Sequence, residues 1–150
     1  MILYRLTKCI YTDLSGLGAR LYGGRWNSEG RSMVYLTSSR SLAVLEALVH
    51  LSPTNLPNDY CMMTIDVPDS ITEIDLQLLP HNWHEYPEQN GLKQIGNNFI
   101  RENKYLLLKV PSAIVKEEYN YLMNPLHPQS ATVKILSNQP FYFDQRLTAE

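Results

Sequence analysis

The chain has 150 residues, 44% hydrophobic and 19% charged, the composition of one ordinary folded domain, which excludes disorder and fibrous repeats. Thirteen Lys and Arg against fifteen Asp and Glu leave a net charge of −2. No basic stretch collects the cations, so direct nucleic-acid binding through phosphates is not expected. No apolar run approaches the roughly 20 residues that a membrane helix needs, and Arg5 and Lys8 interrupt the first ten residues, which leaves no signal-peptide core.

Residues 3–6 read as a short first strand, followed by an irregular glycine-rich stretch containing Gly16, Gly18, Gly23 and Gly24. Residues 28–30 read as a turn and 32–37 as a strand, with Val34 and Leu36 on one face and Tyr35 on the other. Ser38 and Ser39 offer N-caps for a helix reaching about residue 50. That helix is apolar nearly all round, a pattern that predicts burial on most sides. After its first turn the polar exceptions are Glu46 and His50, one turn apart. Pro53 and Pro57 end it. Residues 60–67 alternate as a strand, with Cys61, Met63, Ile65 and Val67 on one face. Residues 71–76 read as another strand, 80–90 as a polar, aromatic surface loop, and 91–102 as a helix with an apolar stripe of Leu92, Ile95 and Phe99. Strands follow at 105–110, 119–122, 131–136 and 141–143. Two substantial helices that do not alternate regularly with the strands predict a single α+β domain rather than a doubly wound sheet.

Among residues that could carry chemistry, Glu46 is the most informative. A carboxylate within an apolar helix costs several kcal/mol unless it is paired or faces a cavity. It therefore reads as an ion pair with an arginine, as a partly exposed helix edge, or as the floor of a pocket. The run Gly23-Gly24-Arg25-Trp26-Asn27 is second. Its glycines permit close backbone approach to a ligand, and Arg25 could grip a phosphate or lie on the surface of a tight turn. The run lacks the Lys-Ser/Thr ending of a nucleotide-hydrolase loop. Tyr35 on its own reads as packing. Ser112, after Pro111 at a strand end, could reach a cleft, but no Gly-x-Ser-x-Gly elbow surrounds it. The four histidines, His50, His81, His84 and His127, do not fall into metal-ligand spacing, so no metal is expected. Asp66, Asp69, Glu73 and Asp75 read as a solvated face. Cys9 and Cys61 cannot make a disulfide framework or a zinc site unaided, and the expectation is two reduced thiols in the cytoplasm.

In order, the chain presents Tyr4-Arg5-Leu6, Gly18-Ala19, the Gly23–Asn27 run, Val34-Tyr35, Ala43-x-x-Glu46 and His50-Leu51. Then come Ile95-Gly96, the run 106–113 ending in Pro111-Ser112-Ala113, and the run 120–128 from Asn120-Tyr121 through Asn124-Pro125 to His127-Pro128. This ordered set resembles the RES-domain family, named for an arginine, a glutamate and a serine, over roughly residues 3–143. The resemblance implies a single RES domain spanning 1–150 with an ADP-ribosyltransferase-like fold. It implies the toxin of a bacterial type II toxin–antitoxin pair that degrades NAD+ by hydrolysis or phosphorolysis, with ADP-ribosylation of a protein as the alternative. NAD+ would be substrate, without cofactor or metal. The implied partner is an Xre-like helix-turn-helix antitoxin, which would bind operator DNA itself and form a hetero-oligomer with the toxin. By motif match, Arg25, Glu46 and Ser112 inherit the three family positions and Tyr35 the pocket tyrosine. Gly24 would admit the ligand, and Arg5 and Asn124 are further candidates for lining the site. In that scheme Glu46 steadies the developing cation, Arg25 holds the pyrophosphate, Tyr35 stacks beside nicotinamide, and Ser112 bonds the ribose or the carboxamide.

Overall fold

The computed structural model describes residues 1–147. Seven strands form one sheet: β1 (Ile2–Lys8), β2 (Val34–Thr37), β3 (Tyr60–Asp66), β4 (Ile71–Glu73), β5 (Leu107–Pro111), β6 (Tyr119–Met123) and β7 (Lys134–Phe141), in the order β4-β5-β6-β2-β1-β3-β7. Neighbours are antiparallel except β4 and β5, which are parallel and joined through helix α3 (Asn90–Glu102). The remaining helices are α1 (Leu17–Tyr22) and α2 (Arg40–Leu48). This is the mixed α+β domain that the sequence predicts.

Strand register sorts side chains onto two faces. Leu3, Val34, Leu36, Met63, Ile65, Tyr121 and Met123 pack in one core cluster. Leu108, Val110 and Leu122 face the other way, against Leu92, Phe99 and Ile100 of α3 and against Trp26 and Met33. Tyr35, opposite Leu122, and Asn120, opposite Thr37 and Val110, belong to this second face. Helix α2 begins with Ser39, whose side chain accepts a hydrogen bond from the Leu42 amide, and packs on β1 and β2.

The junction of β1 and β2 is the weakest seam. Their ladder is the single pair Tyr4 and Thr37, whereas β1 and β3 pair along seven positions from Ile2 to Lys8. Where the ladder stops, the Arg5 guanidinium donates to the Tyr35 carbonyl at 3.2 Å.

Five expectations change. The glycine-rich stretch contains a short helix, α1. The strand expected over 71–76 ends at Glu73, and a 3-10 turn capped by Asp75 follows. The two strands expected at 131–136 and 141–143 are one continuous strand, β7, preceded by a 3-10 turn at Pro128–Thr132. Pro140 does not break it, because β7 is an edge strand and proline there costs no ladder on its outer side. Helix α2 is not buried on most sides: Leu42 and Ala43 are buried, but Leu45 and Val49 are 42% and 56% exposed, since only one side of the helix meets the sheet. Finally, Cys9 and Cys61 are not free thiols but a disulfide. The β1–β3 register sets Thr7 opposite Cys61, and the Cys9 amide donates to the Asp59 carbonyl at 2.8 Å, which brings the two sulfurs together.

Candidate active site

Glu46 is half-buried, and its carboxylate is not held by an arginine. Ser112 Oγ donates to Glu46 Oε1 at 2.8 Å, and Asn120 Nδ2 donates to the same oxygen at 2.6 Å. Both donors are neutral, and no cationic side chain among the described residues pairs with the carboxylate. Oε2 receives no hydrogen bond from the described residues. The Ser112 hydroxyl is fully committed: its oxygen accepts from the amides of Ile114 (3.1 Å) and Val115 (3.0 Å), so its only proton goes to Glu46. In this arrangement Ser112 acts on the glutamate and has no proton left for a ligand.

A second network surrounds Tyr35. Its hydroxyl donates to Asn27 Oδ1 at 2.5 Å and accepts from the Trp26 amide at 3.2 Å. Asn27 is fully buried, and its amide nitrogen reaches the carbonyls of Ala19, Ser28 and Arg31. This lattice folds the Gly23–Asn27 turn onto the sheet. Gly24 is required there, because a Cβ would lie 2.5 Å from the Tyr35 hydroxyl. Gly96 on α3 is the counterpart, since a Cβ would meet the Trp26 carbonyl oxygen at 1.6 Å. Burial pushes the Tyr35 hydroxyl pKa up, so Tyr35 stays a protonated donor.

Arg25 follows directly. Its NH1 donates to the carbonyls of Trp83 (2.9 Å) and Glu85 (3.1 Å), which ties the loop expected at 80–90 to the glycine turn. Tyr35 and Asn120 are diagonal neighbours on the same sheet face, a spacing of about 7 Å between strands, so the two networks adjoin.

The other two expected residues are placed differently from each other. Arg5 leaves β1 beside Met63, where the ladder with β2 has stopped, and it adjoins Tyr35: its guanidinium donates to the Tyr35 carbonyl and acts electrostatically on the Tyr35 hydroxyl. Burial pulls the Arg5 pKa down to about 10, with Asp13 opposing that shift, and its Nε is enclosed without a partner. Asn124 is fully buried about 13 Å further along the strand direction from Asn120. It donates to Asn103 Oδ1 at 2.8 Å, where Asn103 ends α3 in a left-handed conformation, and its Oδ1 accepts from the Leu126 amide at 3.0 Å. The asparagine that reaches Glu46 is instead Asn120, which carried no local signal beyond its place in the run 120–128. Among the described residues no group of three His, Cys, Asp or Glu side chains gathers to hold a metal ion, and no helix is long and apolar enough to cross a membrane.

Comparison with known proteins sets this geometry in context. Residues 2–144 match the RES domain. The chain is 42% identical to Toxin Res of Photorhabdus laumondii, over 98% of this chain and 97% of that protein. It is 40% identical to Toxin Res of Pseudomonas putida, over 98% and 99%. It is 38% identical to the Prs ADP-ribosylating toxin of a Sphingobium species, over 90% and 86%. Among solved structures, the crystal structure of the M. tuberculosis MbcT–MbcA toxin–antitoxin complex contains a chain similar in fold. Its TM-score is 0.73 at 19% identity, over 93% of this chain and 83% of that one.

Proposed function

The chain belongs to the RES-domain family, and from that premise we propose that it is the toxin of a toxin–antitoxin pair whose chemistry is cleavage of the nicotinamide–ribose bond of NAD+. The observation that carries this reading is the state of Glu46. Cleaving that bond passes through an oxocarbenium-like transition state, and a carboxylate steadies it best when no cation has already neutralised it. Two neutral donors hold Glu46 by one oxygen, with no cation paired to the carboxylate and the other oxygen left for the ribose or an attacking water. Nicotinamide leaves as a neutral molecule, so no general acid is needed and one carboxylate suffices.

The other expected residues take roles consistent with their places. Arg25 retains donors beyond those NH1 spends on the Trp83 and Glu85 carbonyls, and these would grip the pyrophosphate. Tyr35 would present its ring to nicotinamide while its hydroxyl holds the turn. Ser112 supports Glu46. An antitoxin of the helix-turn-helix class would be the neutralising partner in the cytoplasm and would supply any operator contact, since the toxin's own charge of −2 gives no basic face. The isolated chain should therefore fail to shift operator DNA at physiological salt, and a clear shift would overturn that division of labour.

A second reading, transfer of ADP-ribose to a protein, draws support from the relative named as an ADP-ribosylating toxin. One experiment separates them: NAD+ incubated with the purified, antitoxin-free chain, with and without phosphate. Nicotinamide plus ADP-ribose identifies a hydrolase, and a phosphorylated ADP-ribose formed only with phosphate identifies a phosphorylase. Intact NAD+ alongside a well-folded chain defeats the degradation reading, and label passing from NAD+ to a lysate protein establishes the transferase.

A further inference from the structure

Asn120 is the least accounted-for polar group beside Glu46. Its backbone is clamped in the middle of the sheet, opposite Thr37 of β2 on one side and Val110 of β5 on the other, so its Cα cannot drift. Its amide cannot be turned over either, because that would set Oδ1 against Glu46 Oε1, two acceptors at 2.6 Å. Nδ2 therefore faces the carboxylate, and Oδ1 faces away. That oxygen is enclosed and has no hydrogen-bond donor. A buried acceptor without a donor is costly, and here that cost accompanies an amide whose nitrogen is held on the carboxylate.

We propose that Asn120 is a positioning residue for Glu46: its Nδ2, held in place by the sheet, fixes Oε1 of the carboxylate. The proposal rests on the NAD+ reading above and names a residue that aims the carboxylate of that reading. Ser112 and Asn120 together fix Oε1 and so turn Oε2 toward the reacting carbon.

The test compares wild type with Asn120→Ala and Asn120→Asp, using NAD+. Asn120→Ala should lower kcat about a hundredfold while KM changes less than about threefold. Asn120→Asp keeps the shape but sets a second carboxylate against Glu46, and like charges hold a proton to higher pH. The acid limb of its pH–rate profile should move up by about one unit or more, a readout that a merely structural asparagine would not change and that needs no alanine variant. Near wild-type kcat in Asn120→Ala or an unmoved acid limb in Asn120→Asp overturns the proposal. A well-folded wild type that leaves NAD+ intact overturns the NAD+ reading and this inference with it, and is distinguishable because no variant enters that result.

Discussion

The glutamate cluster and the glycine turn adjoin on one face of the same sheet, yet they use their polar groups in opposite ways. Around Tyr35 every bond is spent: the hydroxyl both donates and accepts, Asn27 reaches three carbonyls, and Gly24 is pared back to make room. Around Glu46 capacity is left over, on Oε2 and on Asn120 Oδ1. Saturated polar networks fix a shape, whereas the glutamate cluster is held through a single carboxylate oxygen. The two asparagines of β6 and its end repeat the contrast, with Asn124 fully satisfied at the C-terminus of α3 and Asn120 half-satisfied at the carboxylate.

Substitutions can break or sharpen this contrast. The largest effect is expected from Glu46→Ala, which should lower NAD+ turnover at least about a thousandfold, with a stability loss of about 1–3 kcal/mol from the Ser112 and Asn120 donors left without a partner. Turnover near the wild-type level, followed by nicotinamide release, would remove Glu46 from the chemistry. Next comes Gly96→Ala, which drives a methyl into the Trp26 carbonyl and should cost more than about 4 kcal/mol, seen as loss of the cooperative unfolding transition. Tyr35→Phe strands Asn27 Oδ1 and the Trp26 amide, for a loss of about 1–3 kcal/mol in urea unfolding. Asn124→Ala should cost about 1–2 kcal/mol with kcat per folded molecule retained. If Tyr35→Phe or Asn124→Ala instead struck kcat and spared stability, the division between scaffold and chemistry would collapse.

Much of this was legible in the chain. The Ser39 cap and the alternation of β3 are local signals that led to the right elements, and the oddity of a carboxylate in an apolar helix singled out the residue that Ser112 and Asn120 hold. Ser112 was reached only through the ordered family motifs, since a serine after Pro111 means little by itself. Asn120 was passed over in favour of Asn124 because both sit in one motif run, and only the register against β2 and β5 decides which of them meets α2. The disulfide was hidden for the same reason, as nothing near Cys9 announces that β3 will lie beside β1. The apolar circumference of α2 misled because pattern reports how a helix could be buried, whereas the sheet covers only one side of it.

The distances along the chain between Glu46 and its two holders have a consequence in time. The bonds to Ser112 and Asn120 span 66 and 74 residues. At about 5–20 residues per second of synthesis, the ribosome finishes the glutamate's helix roughly 4–15 s before it has made the asparagine that completes the cluster. For that interval the nascent chain carries the carboxylate without the hands that aim it. The cluster is thus among the later things this protein acquires as it is made, and a truncated product of translation that stops short of β6 carries Glu46 without Asn120.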